Sequence, residues 1–415
     1  MYKLRIIFLI FLISEFSRAD IGYSLDSYLF FNKFQIADSI INPNNSVLKT
    51  PSEQTDLDVR AEIKWKSGLD RLIVRPRYTG YYKSYTVTAV GSSSESKGEI
   101  DLTDAFYEKY WSSKISTTLG LQVYQWGPAE LLNPSNPLFH FSTQQRAAFY
   151  KEKGKVLLRG NYSFNRENSL VLIAEPISNA EPEWIAETDF NPKAIIKYER
   201  LFSGTANQIG LVAGIEEKKN LFFGQYFSLT FADSFSFYAD VKESKKNLNY
   251  IPEWNGSDYD LVSSEAFPLE WATLGVAGIR WEGDFDVRLE YIYNGAGFDR
   301  EQLNQAILSV SNFFNPNYLR NLERFRRIGL EFYGKNYTYF SLRKSDPLDI
   351  KDLNIYFRNF LSLQDQSGLT QIEADYSLLD SWQILTQIGF VNGNLDSEFR
   401  LTNDWQFLLG VKWGI

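Results

Sequence analysis

Residues 56–66 read Asp-Leu-Asp-Val-Arg-Ala-Glu-Ile-Lys-Trp-Lys, a charged side chain at every second position with an apolar one between. Successive side chains of a β-strand point to opposite faces, so one face of this segment is ionic and the other hydrocarbon. Its length matches the roughly 9–11 residues that a tilted strand needs to cross a bilayer. The next segment repeats the pattern. Leu72, Val74, Pro76, Tyr78 and Tyr82 fall on one side, and Arg71, Arg75, Arg77 and Thr79 on the other. Two such strands in a row specify a transmembrane β-hairpin, with lipid on the apolar face and water on the charged one.

The N-terminus reads as an export signal. Lys3 and Arg5 precede an apolar stretch from Ile6 to Ile13, which is too short to span as a helix, and Ser17-Arg18-Ala19 supplies small residues for cleavage after Ala19. The expected division is a signal peptide over 1–19 and one domain over 20–415, since no linker-like stretch divides the rest. No later apolar run reaches the ~20 residues of a membrane helix. Yet 16% of the chain is aromatic, a load that suits girdles at two membrane interfaces. The absence of Cys excludes disulfide stabilisation. With 43 basic and 51 acidic residues the net charge is −8, so there is no basic footprint for nucleic acid.

Nineteen segments carry the dyad pattern or a compatible apolar run. They include 20–34, 115–125, 155–164, 269–281, 284–293, 325–334, 336–343, 352–363 and 381–391. Tight turns such as Lys66-Ser67-Gly68, Glu282-Gly283-Asp284 and Gly334-Lys335-Asn336 are expected at the periplasmic end. Long polar connections are expected near 35–54, 83–99, 126–154, 178–191, 244–268 and 294–323. A single-chain barrel with both ends on one side needs an even strand number. The expected fold is therefore all-β: an antiparallel transmembrane barrel of about 18 strands, within 16–20. The surplus segment is expected within 324–379, where 346–352 and 364–368 compete for one role. Asp299 caps an expected helix over 299–314, with Leu303, Ile307, Val310 and Phe314 at helical spacing and Asn315-Pro316 at its end.

Two stretches resemble known proteins. Trp405, Phe407, Leu409, Val411, Trp413 and Ile415 resemble the C-terminal strand of outer-membrane barrels, although Ile415 stands where those usually have Phe or Trp. The run Gln122–Gly127-Pro128, continuing through Leu131-Leu132-Asn133-Pro134-Ser135-Asn136-Pro137, resembles a strand followed by a "WG…NP" loop in porin-like outer-membrane families. The resemblance implies a bacterial outer-membrane porin, with lipid, lipopolysaccharide, the barrel assembly machinery and small hydrophilic solutes as partners, and no cofactor. It specifies no solute.

Two sets of residues are candidates for function. Loop 126–146, with Trp126, Gly127, Asn133, Pro134, Asn136, Pro137 and His140, either folds into the lumen and narrows it or packs on the rim. Asp58, Arg60, Glu62, Lys64, Arg71, Arg75, Arg77 and Arg159 are expected to line the lumen, where arginines can hold anions or be neutralised by interleaved acids. Catalysis is not expected: His140 is the only histidine, no serine elbow accompanies it, and no metal-ligand spacing occurs. The alternative reading is a barrel closed by its loops, acting as a surface receptor or adhesin or as a structural protein.

Overall fold

The computed structural model describes residues 20–415 apart from 40, 88–90, 140–152, 178–191, 204–206, 217–219, 233, 246–249, 264–269, 313, 327–331 and 396. The expected signal peptide and His140 lie outside the described residues.

Eighteen strands form one antiparallel sheet that closes on itself. In chain order they are β1 (Asp20–Ile36), β2 (Glu53–Ser67), β3 (Asp70–Val87), β4 (Gly91–Tyr110), β5 (Ile115–Gln122) and β6 (Lys155–Ser163). Next come β7 (Asn168–Glu175), β8 (Lys193–Leu201), β9 (Gln208–Glu216), β10 (Asn220–Ala232) and β11 (Phe235–Lys245). After a small hairpin, β12 (Tyr250–Trp254) and β13 (Tyr259–Ser263), the barrel resumes with β14 (Trp271–Glu282), β15 (Asp286–Asn294) and β16 (Asn336–Ser345). It ends with β17 (Leu353–Ser362), β18 (Gly368–Leu379), β19 (Trp382–Asn392) and β20 (Asn403–Gly414). Each pairs with its neighbour in the chain, and β20 pairs with β1 from Asp26↔Gly414 to Ile36↔Asn403. Closure leaves no edge strand, the condition for a sheet in hydrocarbon. The Gly91–Asp104 part of β4 extends past its pairing with β5.

The alternation decides which face is which. Outward Leu57 and Ile63 are 41% and 47% exposed, while Asp58 on the opposite face is 4% exposed. A charge at mid-membrane on the lipid face costs roughly 2–4 kcal/mol, so a one-residue slip of β2 would add several such costs at once. Exposed aromatics ring the barrel near both ends: Trp111, Phe231, Trp281, Trp382 and Trp413 at the short-turn end, and Phe223, Trp271, Tyr291 and Phe390 at the other. Gly68, at φ +57° in the two-residue link between β2 and β3, adopts the left-handed backbone that so tight a hairpin demands.

Three expectations need correction. The surplus segment is 325–334, inside the expected 324–379, so the strand expected there is withdrawn: Tyr318–Arg326 is a helix, and 327–331 lie outside the described residues. Leu322 and Phe325, spaced for one helical face, are buried in a cluster with Phe298 and Leu303. Gly334-Lys335-Asn336 therefore enters β16 at the long-loop end, and the short-end connection is 346–352. The polar stretch 83–99 is mostly strand, because β3 and β4 continue pairing to Val87↔Gly91. Finally, the first helix is shorter than 299–314. It runs Arg300–Ser309, with Asp299 and Gln302 forming a capping box, and Phe314 beyond it is 95% exposed.

The long loops build a small core of their own. The β12–β13 hairpin, α1 (Arg300–Ser309) and α2 (Tyr318–Arg326) bury Leu261, Leu303, Ile307 and Val310 together with Ile41 and Leu401 from two other loops. Asp260 of the hairpin is its polar post. Amide groups of Asn321 (3.0 Å), Asn255 (2.9 Å), Asn317 (2.9 Å) and Asn315 (3.4 Å) donate to its carboxylate.

Candidate functional site

The eight expected lining residues all project from the inner faces of β2, β3 and β6, and their charges are paired. Arg60 and Arg77 both donate to Asp58, at 2.6 and 2.8 Å. Arg75 bridges Glu62 at 2.6 Å and Asp104 of β4 at 2.7 Å. Lys64 lies 2.5 Å from Glu62. Arg71 and Arg159 approach Glu108 from either side at 3.6 and 3.8 Å. The Arg60 guanidinium also lies over the Tyr28 ring, 4.2 Å from its centroid, and Arg159 over Tyr124 at 4.4 Å. This wall is a mosaic of ion pairs in which arginines share carboxylates.

Loop 123–139, which leaves β5 at Gln122, turns inward. Every residue from Leu131 to Phe139 is buried. Gly127 makes the turn possible: its φ is +101°, and a Cβ there would sit 2.2 Å from Asn133 Oδ1 and 2.5 Å from Asp240 Oδ2. Asn133 ties off the bend, its Nδ2 donating to Ala129 O and its Oδ1 accepting from Ala129 N–H, both at 2.9 Å. Asn136 N–H donates to Asn133 O at 2.9 Å. Pro134 and Pro137 fix φ in the segment between, which lowers the cost of ordering it. Trp126 Nε1 donates to Ser135 Oγ at 3.1 Å.

The loop is fastened to the wall in two ways. Trp126, Leu138 and Phe139 pack on an apolar patch made by Leu157, Val171, Ile173, Ile195 and Phe222, which face inward from β6, β7, β8 and β10. Ala129, Leu131 and Leu132 pack further round, against Tyr238, Val276, Ile292 and Tyr339. Two wholly buried carboxylates take the loop's backbone. Asp240 of β11 accepts from Ser135 N–H at 2.5 Å and from Ser135 Oγ at 2.9 Å. Glu290 of β15 accepts from Glu130 N–H at 2.7 Å, Leu131 N–H at 3.3 Å and the Tyr238 hydroxyl at 2.8 Å. Backbone N–H groups aimed at a carboxylate in a low-dielectric setting make strong, directional fastenings.

The Glu130 side chain goes further. Its carboxylate accepts from Tyr339 at 3.0 Å and Ser341 at 2.8 Å, both on β16. Counting from β5 in the ring of eighteen strands, β16 is nine places away, on the opposite side. Loop 123–139 thus lies against the inner wall from β6 round to β16, half of the ring.

Sequence reasoning placed the loop's landmarks but missed Glu130, Ser135 and Asp240, as well as the fastening role of Glu290. One signal does exist. Leu170–Ala174, Ala194–Ile196 and Ile209–Ile215 are apolar on both faces where a water-lined wall calls for alternation. One face meets lipid, and on β7 and β8 the other meets the loop.

No protein-family model matches the chain, and no curated protein matches it in sequence. Solved structures do. It is similar to Pseudomonas aeruginosa OccK7 (OpdD), with a TM-score of 0.57 at 11% identity over 96% of this chain and 98% of that one. A BenF-like porin from Pseudomonas fluorescens Pf-5 matches at 0.55 and 10% identity, over 96% and 99%. The outer membrane protein OprD from Pseudomonas aeruginosa matches at 0.50 and 11% identity, over 95% and 94%. At these identities the likeness is one of fold: an eighteen-strand barrel of the outer-membrane porin type, an architecture of the bacterial outer membrane.

Proposed function

We propose that the chain is an outer-membrane channel through which small hydrophilic solutes diffuse passively. The described part of loop 126–146, up to Phe139, narrows its lumen, and the charged faces of β2, β3, β4 and β6 line the passage left beside it. The observation that carries this reading is the loop fastened inside a closed barrel, along half of its inner wall. A rim-packed loop would have no reason to hydrogen-bond side chains on β11, β15 and β16. An inserted loop leaves the remaining aperture bounded by the loop on one side and ion-paired wall on the other, which is how a diffusion channel combines size exclusion with modest charge preference.

Planar-bilayer recording of the purified, refolded protein tests this. Discrete conductance steps in KCl are expected. Protein that inserts into liposomes yet conducts nothing across voltage and salt would refute it. The core formed by the long loops gives the receptor reading its one support, and that reading predicts the silent outcome.

A further inference from the structure

We propose that Glu130 sets the charge selectivity of the passage by neutralising arginines on the wall opposite the loop's root. This rests on the channel reading above and adds a residue that determines its preference.

Between Val123 and Phe139 the loop has a single charged side chain, Glu130. Its backbone N–H is spent on Glu290, so the side chain is held at a fixed place on the far wall. Besides its two hydroxyl donors, its oxygens meet two guanidinium groups: Arg288 Nε at 3.4 Å and Arg358 Nε at 3.8 Å. The three side chains are 22%, 20% and 13% exposed, so the cluster borders water rather than lying in the core. The two arginines differ in what else they have. Arg358 keeps a 2.8 Å contact with Glu373. Among the described residues Arg288 has, besides Glu130, a 3.5 Å contact with Asp286, a carboxylate that is also bound at 2.8 Å by Arg280. Glu130 thus shares Arg288 with Asp286 at nearly equal distance, and it is the one of the two that arrives on the loop. Because it arrives on the loop, the loop fixes both the width and the sign of the passage at one point.

The test is the zero-current potential across a tenfold KCl gradient, measured for wild type, Glu130→Gln, Arg288→Gln and the double variant. Glutamine keeps the shape of Glu130 and an oxygen for Tyr339 or Ser341, so the loop stays docked and only the charge goes. One unit charge bordering an ion path, screened by salt, should change the anion-to-cation permeability ratio by roughly two- to fivefold. Glu130→Gln should shift it toward anions, Arg288→Gln toward cations, and the pair should return near wild type. Unchanged potentials in conducting variants would overturn the assignment. A Glu130→Gln channel with larger conductance steps and no shift would do the same, showing that the residue only fastens the loop. Should Glu130→Gln fail to assemble, Arg288→Gln alone decides by its direction. A wild type that conducts nothing would instead overturn the channel reading itself.

Discussion

Replacing Asp240 with alanine asks whether loop 123–139 is a fixed part of the lumen or a flap held by a narrow margin. Fastening the loop buries Trp126, Leu131, Leu132, Leu138 and Phe139. At roughly 1.5–3 kcal/mol each, these five contribute about 8–15 kcal/mol as an upper estimate. Four hydrogen bonds reach Asp240 and Glu290 from Ser135, Glu130 and Leu131. At roughly 1.5–3 kcal/mol each for a charged acceptor, they add about 6–12 kcal/mol. Against this, ordering the fourteen residues from Trp126 to Phe139 costs about 1–2 kcal/mol apiece, with the three prolines holding it toward the low end. The two sides balance to within a few kcal/mol.

Asp240→Ala leaves Ser135 N–H and its hydroxyl without their acceptor in a fully buried site. An unsatisfied buried donor costs ~1–3 kcal/mol, so the loss of about 2–6 kcal/mol is as large as the margin itself. The variant should show a noisy open level with excursions to higher conductance, and faster amide exchange over residues 129–138. Asp240→Asn, which retains an oxygen for Ser135 N–H, should fall between it and wild type. Quiet, wild-type steps and unchanged exchange in Asp240→Ala would refute the reasoning, placing the loop's hold in its apolar contacts alone.

Three other outcomes follow from the same geometry. The triple variant Arg71→Ala, Arg75→Ala, Arg77→Ala leaves Asp104 without the only cation within ion-pair reach among the described residues, and thins the cover on Asp58, Glu62 and Glu108. Its zero-current potential should move toward cations by roughly two- to fivefold in permeability ratio, and no movement would mean that this wall does not border the ion path. In the loop core, burial pushes the Asp260 carboxyl up, but the amides of Asn321, Asn255, Asn315 and Asn317 outweigh it and hold it below the usual range. Its contribution is thus present above the unfolded carboxylate pKa and lost as pH falls through the lower folded value. Asp260→Ala should cost about 3 kcal/mol or more, read as protease cleavage within 250–263 or 300–326 while the barrel keeps its heat-modifiable gel mobility. Glu398 behaves in the opposite sense. Burial, reinforced by nearby Asp365, pushes it up to about 7 despite hydrogen bonds from Tyr337 and Tyr333 N–H. The stability it lends is full below the unfolded carboxylate pKa and lost as pH rises through about 7. Amide exchange over 397–402 should therefore rise from pH 6 to pH 8 beyond its intrinsic increase, and Glu398→Gln should remove that excess.

What could be read from the sequence divides along a physical line. Which face a strand residue occupies is a local matter of parity, and a single segment such as 56–66 settles it because the alternative puts charges into hydrocarbon. The capping box at Asp299 and Gln302 is local in the same way. The surplus strand failed because 325–334 alternates like a strand over a short run, while Leu322 and Phe325 carry the competing helical spacing; packing into the loop core decided for the helix over Tyr318–Arg326. The fastening of the loop is non-local: Ser135 meets Asp240 across 105 residues, and Glu130 meets Glu290 across 160. Nothing within the loop announces those partners. The wall does, in a form that parity makes legible. A carboxylate on an inward position next to inward Tyr238 or Ile292 has no lipid to avoid and no cation on its own strand within ion-pair reach among the described residues. It must therefore be met by donors from inside the barrel. An inner face that turns apolar over several strands, with isolated acids at its border, is thus the imprint of a segment lying against it. In this chain the imprint spans β6 to β16 and falls where loop 123–139 lies.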